Sequence, residues 1–247
     1  MKNIVNKFGT VSLNELKKVQ LLRRFDTKYF LHIDNLDSIL EEMRNNYKIL
    51  KIKDILTQSY KTYYYDDKDQ SSYIKHHNGK KNREKVRFRE YLDVNDIYLE
   101  IKHKNNKGIT VKKRLKTLRE KILSQKQKDF IVRNSNFKPD NIFLENINSF
   151  NRMTFVDNNF SHRLTIDNNF SFFYKKEKFS MGDLVIIEVK ESRGNIRSLI
   201  KDILKNNKIQ KNRISKYCLS TFLLNKNIKS NNFKRTLLKL NKLNILN

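Results

Sequence analysis

The chain has 247 residues, 38% of them hydrophobic, with 53 Lys and Arg against 26 Asp and Glu for a formal net charge of +27. The apolar content suffices for a core in one large domain or two small ones, and the charge calls for an anionic partner: nucleic acid, an anionic membrane surface or a phosphate-rich substrate. A lone cysteine, Cys218, excludes a disulfide framework and a Cys-based metal site.

The first residues, MKNIVNKFGTVSL, lack the apolar stretch of a signal peptide. The longest clean apolar run, Leu184–Ile187, is far short of a membrane span, so a soluble cytoplasmic chain is expected. Abundant Lys, Asn and Ile with one Pro and no Trp read as coding bias in an A/T-rich genome, which inflates Lys without function. Arginine is the better reporter of phosphate recognition, because its planar fork matches phosphate oxygens.

Ser12-x-x-Glu15 is a capping box, predicting a helix to about Leu22 with Leu13, Leu16, Val19 and Leu22 on its apolar face. RRFDTKYFLHI follows as a strand that places Arg24, Asp26, Lys28 and Phe30 on one face. Asp34 is positioned to cap a helix whose stripe is Leu36, Ile39, Leu40 and Met43. QSYKTYYYD at 58–66 is aromatic enough for a strand. The stretch 73–83, YIKHHNGKKNR, holds an Asn-Gly turn signal at Asn78-Gly79. Its adjacent His76 and His77 project in different directions, a poor metal pair; hydrogen bonding to substrate or backbone suits them better.

Three strands come next: KVRFREY, YLEIKHK and, after Gly108, VKKRL. Alternation puts Lys85, Arg87, Arg89 and Tyr91 on one face and Val86 and Phe88 on the other. Tyr98, Glu100, Lys102 and Lys104 share a face opposite Leu99 and Ile101, and Lys112 and Arg114 repeat the pattern. Thr117-x-x-Glu120 is a second capping box, predicting a helix to about Val132. A loop at 134–140 carries the one Pro. NSFNRMTFVD and SHRLTIDNNF read as a β pair with Arg152 in the first; in the second Arg163, Thr165 and Asp167 face away from Leu164 and Ile166. DLVIIEVKES is the strongest strand and alternates Glu188 and Lys190 against Ile187 and Val189.

A helix over 195–207 turns Ile196, Leu199, Ile200, Ile203 and Leu204 inward. Ser215 caps another, whose N-terminus offers free N–H groups to an anion. The expected division is a domain over 1–225 and a basic tail over 226–247, where Phe233, Leu237 and Leu240 keep helical spacing. That tail is equally suited to packing on the domain, touching an anionic membrane or fraying.

A single alternating strand is usually just solvated on its charged face. Like charges facing each other across several strands are destabilising, however, unless a bound anion relieves them. The collected face holds Arg24, Asp26 and Lys28; Lys85, Arg87 and Arg89; Glu100, Lys102 and Lys104; Lys112 and Arg114; then Arg152, Arg163, Glu188, Lys190 and Lys216. The expected fold is α+β: an antiparallel β-barrel forming a tunnel, with helices packed outside. A polyphosphate with a divalent cation would satisfy both signs of the buried charge.

The segments RRFDTKYF, TYYYDD, HHNGKKNREKVRFREY, YLEIKHKNNKG, VKKRL, FNRMTF, HRLTID, IIEVKES and RISKY, in this order over roughly residues 20–222, resemble the VTC domain. This is the polyphosphate polymerase branch of the triphosphate tunnel metalloenzyme, or CYTH-like, superfamily. Arg-x-Asp-x-Lys stands where triphosphatases of that superfamily carry Glu-x-Glu-x-Lys. That difference favours the polymerase branch and leaves fewer carboxylates for metal.

The resemblance implies a tunnel in which ATP, with Mn²⁺ or Mg²⁺, donates its γ-phosphate to a growing polyphosphate chain. It implies catalytic roles for Lys28, Arg87, Arg89, Lys102, Arg152, Glu188 and Lys216, and phosphate-binding roles for Arg24, Lys85, Lys104, Lys112, Arg114, Arg163, Lys190 and Ser215. Glu188 would be the chief metal ligand, while Glu100 would orient Lys102 or Arg87 instead. The alternatives are a metal-dependent tripolyphosphatase or NTPase on the same fold, and a non-catalytic polyphosphate-binding module. Nucleic acid fits the net charge but not the pattern, since no recognition helix, RRM, KH or zinc-finger signature is present. A membrane-protein partner is not readable from these residues.

Overall fold

In the computed structural model, which describes residues 2–19, 24–192 and 198–246, the alternating segments become strands. The chain opens with α1 (Lys2–Val5), β1 (Gly9–Val11), α2 (Leu13–Leu16), β2 (Arg24–His32), α3 (Leu36–Met43), β3 (Tyr47–Leu50) and β4 (Gln58–Asp67). It continues with α4 (Ser71–His77), β5 (Arg83–Tyr91), β6 (Asp96–Lys104), β7 (Thr110–Lys116), α5 (Gln125–Asn134), β8 (Ile142–Asp157) and β9 (His162–Tyr174). The last elements are β10 (Glu177–Met181), β11 (Leu184–Ser192), α6 (Leu199–Asn206), α7 (Lys216–Leu224) and α8 (Lys234–Lys242).

The main pairing path runs β2-β11-β9-β8-β4-β5-β6-β7, antiparallel throughout. β1 pairs in parallel with β3, which adds to β8, and β10 extends β9. The fold is therefore a mostly antiparallel sheet with helices against it. Its path ends at β2 and β7, so strand pairing among the described residues does not close the expected barrel. The outer edge of β2 is taken by the chain ahead of α7: Tyr29 bridges to Lys211, and the Asn212 N–H donates to the Lys28 carbonyl at 2.7 Å.

Alternation decides which face each helix covers. Tyr29, Leu31, Met153, Phe155, Leu164, Ile166, Val185, Ile187 and Val189 form one apolar layer under α3 and α6. All four stripe residues of α3 are fully buried there, each stabilising the fold by about 1.5–3 kcal/mol over an exposed position. Val86, Phe88, Leu99 and Ile101 pack with Ile131 of α5. The opposite face holds the charges, and α7 packs against part of it, among Phe30, Tyr60, Tyr64, Phe150, Phe170 and Ile186. Its sequence, KYCLSTFLL, is apolar on almost every side, as a helix enclosed by a sheet requires. Phe233, Leu237 and Leu240 of the C-terminal segment join the same cluster.

Several local expectations change. The Ser12/Glu15 capping box forms, but α2 stops at Leu16 and Leu13 stays exposed; Leu22 lies outside the described residues. Asp34 does not cap α3: it sits in a 3₁₀ turn, its carboxylate 3.1 Å from His32, and Asn35 takes the cap position. The Asn78-Gly79 turn forms, but it follows a helix, α4, that was not expected, with Gly79 at φ +72°, a usual helix stop. The Thr117 box fails because the sheet still holds that residue, whose N–H bonds to the Ile97 carbonyl. Leu118 and Ile122 of this non-helical stretch are 70% and 79% exposed. The helix begins at Gln125 instead, with the Ser124 N–H donating to Gln127 Oε1. In α6, Ile200, Ile203 and Leu204 are buried but Leu199 is exposed, and Ile196 lies outside the described residues. No helix among the described residues is long and apolar enough to cross a membrane.

Candidate functional site

Cross-strand register gathers the predicted charges into rows. Lys85, Arg87 and Arg89 of β5 face Lys102, Glu100 and Tyr98 of β6, and these face Lys112, Arg114 and Lys116 of β7. On the other side Asp26 and Lys28 of β2 face Lys190 and Glu188 of β11, which face Arg163 and Thr165 of β9. Arg152 of β8 faces Asp167 of β9. The sheet curls enough for the two sides to act on each other. The Lys102 ammonium on β6 senses Lys28, Glu188 and Asp26 from β2 and β11, and Lys104 senses Lys28 and Arg213. A cavity of about 270 Å³, lined by Asp26, Thr27, Lys28, Lys211, Asn212 and Arg213, opens beside Lys28.

Two buried carboxylates, Glu100 and Asp167, and the half-buried Glu188 organise the cations. Glu100, with no exposed surface, accepts from Arg87 Nε and Nη2 at 2.9 and 2.7 Å and from Lys112 Nζ at 2.8 Å. Burial alone would raise its pKa; Arg87, Arg89 and Lys112 outweigh that and hold it well below the usual carboxylate range. Asp167, equally buried, accepts from Arg152 Nε and Nη2 at 2.5 and 2.7 Å and from Lys216 Nζ at 2.5 Å. Burial is again outweighed, by Arg152 and Lys216, and the carboxyl drops to about 2. Glu188 lies 2.8 Å from Lys190 Nζ and 3.9 Å from Lys28 Nζ, and Lys28 also donates to the Ile214 carbonyl. Its pKa too is well below normal, with Lys190, Lys28 and Lys102 overcoming burial.

A second group of cations has no carboxylate within salt-bridge distance among the described residues: Lys85, Arg89 and Lys102. Arg89 is 7% exposed and lies 5.6 and 5.9 Å from the Tyr60 and Phe150 rings, and its Nε is unpartnered. Burial and Arg87 both lower its pKa. Burial, then Lys28, pushes Lys102 down to about 7. Lys85 is likewise lowered by burial. Lys216, despite Asp167, falls to about 8, with burial the larger influence. The rings of Tyr60, Phe150 and Phe170 lie under Arg89, Arg152 and Lys216, where their π faces offset part of the cost of burying charge.

The predicted residues Lys28, Lys85, Arg87, Arg89, Lys102, Arg152, Glu188, Lys190 and Lys216 are thus brought together. Ser215 joins them as the N-cap of α7, its Oγ accepting from the Cys218 N–H. Arg163 stands in register with Lys190 on the same face. Lys112 is anchored to Glu100 but partly exposed, and Lys104 sits toward the Arg213 side. Arg114 is exposed and lies over the Tyr98 ring at 5.0 Å. Arg24 starts β2 opposite Ser192, and its side chain lies outside the described residues.

Sequence reasoning missed three contributors. Asp167 was visible only as one residue of an alternating face. Tyr64, whose hydroxyl accepts from Arg87 Nη1 at 3.3 Å, was hidden in an aromatic strand. His76, expected to hydrogen-bond substrate or backbone, pairs with the Lys85 side chain instead, a contact that needs the unforeseen helix α4.

The pKa values give a prediction with two signs. An unfolded lysine keeps its proton to about pH 10.4, whereas folded Lys102 and Lys216 release theirs near 7 and 8. Between pH 7 and 10 the unfolded chain binds more protons through this pair, so their contribution to stability rises with pH. A phosphate ligand needs both lysines charged, so its affinity falls over the same range, by up to about tenfold per unit for each. Thermal unfolding and tripolyphosphate titration at pH 7 and 9 check both signs; an affinity that is flat or rising contradicts the arrangement.

The family model for the VTC domain matches residues 23–225. No curated protein sequence matches the chain. Among solved structures, an adenylate cyclase candidate from Vibrio parahaemolyticus is similar at 11% identity and TM-score 0.48, covering 80% of this chain and 97% of its own. The PH1819 protein of Pyrococcus horikoshii is similar at 15% identity and TM-score 0.43, with 82% and 99% covered. A Hippeastrum adenylyl cyclase candidate, described as having a dominant triphosphatase activity, is similar at 12% and TM-score 0.45, with 79% and 95% covered.

Proposed function

Because the chain belongs to the VTC domain family, we propose that it transfers the γ-phosphate of ATP to a growing polyphosphate chain held inside a tunnel formed by its curled sheet. The observation that carries this reading is the uncompensated trio Lys85, Arg89 and Lys102 beside cations already paired to Glu100, Asp167 and Glu188. Cations paired to buried carboxylates are fixed in place. Buried cations without a counter-charge are costly, and an anion running between them offsets that cost. Their arrangement on strands spread around the interior suits a linear polyanion.

Phosphoryl transfer consists mainly of positioning and charge stabilisation. Arg87 and Arg152, oriented by Glu100 and Asp167, hold the donor phosphates. Arg89 and Lys102 take up the charge that develops on the transferred group, and the terminal phosphate of the chain is the nucleophile. Lys28, Lys190, Lys216 and the Ser215 cap line the path, with Lys104, Lys112, Arg114 and Arg163 extending it.

The family implies a divalent ion, Mn²⁺ or Mg²⁺. No group of three or more His, Cys, Asp or Glu among the described residues could hold a metal. Glu188, with the unpartnered Thr165 hydroxyl opposite it, fits an ion that arrives on the phosphates and needs one protein carboxylate. Bound there, it would neutralise charge on the phosphate oxygens.

Incubation with ATP and Mn²⁺ is expected to yield ADP and a long polyanion degraded by exopolyphosphatase, and Glu188→Gln to abolish the metal-dependent activity; a retained metal response would place the ligand elsewhere. Orthophosphate as the sole product identifies a triphosphatase instead. Binding without turnover identifies a non-catalytic module.

A further inference from the structure

The adjacent histidines of α4 separate into two roles. His77 faces the C-terminal segment: the Asn232 N–H donates to its Nε2 at 3.2 Å, and the Phe233 ring lies 5.4 Å away. The His76 ring, 6.5 Å from Phe233, has its Nδ1 3.0 Å from Lys85 Nζ.

Lys85 Nζ also donates to Ser215 Oγ at 2.8 Å, lies 4.0 Å from Cys218 Sγ, and sits 5.0 Å over the Tyr217 ring. An ammonium has three N–H bonds and no acceptor. All three therefore have neutral protein acceptors, and two of those acceptors belong to the first turn of α7 and its cap. Lys85 Nζ is held in place behind Ser215, beside the N-terminus of α7. Since an ammonium can only donate, His76 Nδ1 must be the acceptor and its proton must be on Nε2. Burial first, then Lys85, Arg83, Lys28 and Lys104, push the His76 pKa far down, so the ring stays neutral.

We propose that His76 is a positioning residue of the phosphate site: its neutral Nδ1 holds the Lys85 ammonium against Ser215, so that Lys85 and the α7 N-terminus attract the same phosphate. This rests on the reading of the interior as a polyphosphate site, but its test needs binding alone. Asparagine places an amide oxygen near the Nδ1 position; leucine keeps the bulk and removes the acceptor.

The probe is inorganic tripolyphosphate, titrated calorimetrically at pH 7 in buffers of different ionisation enthalpy, which reports affinity and protons taken up together. His76→Leu is expected to weaken binding about tenfold and to raise proton uptake, because Lys85 without its acceptor gives up its proton more readily. His76→Asn is expected to stay within about threefold of the unmodified protein, and His77→Leu to leave both readouts unchanged. Unchanged affinity and proton uptake in His76→Leu overturns the proposal, while failure of the unmodified protein to bind overturns the phosphate-site reading beneath it. Should His76→Leu not fold, ¹⁵N NMR of the unmodified protein still decides. A His76 ring protonated at Nε2 and invariant from pH 5 to 8 supports the role, and a proton on Nδ1 overturns it.

Discussion

Arg89→Met is expected to lower ATP turnover by about 10²–10³-fold, the usual cost of removing one donor from a site of developing negative charge, while leaving thermal stability unchanged or raised. Methionine fills most of the volume. The lost guanidinium had no carboxylate partner, and its buried charge was a cost to the unliganded fold. Arg87→Met, two residues away on the same face, behaves differently. It strands Glu100, which then keeps only Lys112, and breaking a buried pair in this way costs about 3–5 kcal/mol. Activity and melting temperature should fall together there. Steady-state kinetics beside thermal unfolding separate the two arginines; equal stability losses would mean that Arg89 has a counter-charge after all.

Asp167→Asn should be as destabilising as Arg87→Met. It leaves two half-buried cations, Arg152 and Lys216, without their shared carboxylate, which is itself fully buried. A loss of about 3–5 kcal/mol corresponds to a fall of roughly 6–20 °C in melting temperature for a chain of this size. Tripolyphosphate should restore more stability to this variant than to the unmodified protein, since it supplies the missing negative charge. Calorimetry with and without the anion checks this, and equal gains in the two proteins would place Asp167 outside the anion's reach.

Much of the site was legible because strands have a period of two. Lys85, Arg87 and Arg89 opposite Val86 and Phe88 could be assigned to faces from spacing alone, and the register in the structure keeps them there. Period says which face a residue occupies, not which residue lies across from it. That is why Asp167 could be placed beside Arg163 and Thr165 on one face yet not recognised as the clamp on Arg152 and Lys216, which come from another strand and a helix. His76 was lost differently. Asn78-Gly79 can close a hairpin or stop a helix, and Asp66 decides the matter from outside by accepting the Ser72 and Tyr73 N–H groups at the start of α4. The parallel β1–β3 pair and the strand at Glu177–Met181 carry too few alternating residues to register as periodic.

The edge of β2 has a consequence for how the protein is made. β2 emerges from the ribosome early, but its ladder partner is residues 184–192 and its outer edge is held by Lys211 and Asn212. At about 5–20 residues per second, roughly 10–40 s of synthesis separates this strand from the chain that completes its hydrogen bonds. Through that interval the aromatic segment Tyr29–Phe30 has no strand to pair with, and the nascent chain is open to aggregation. Lys28, Glu188 and Lys216 therefore meet only after residue 216 has been made. A truncation ahead of residue 211 should remove Ser215 and Lys216 from the site and leave β2 with an unprotected edge, so the segment that begins at residue 211 acts as a closing step of folding.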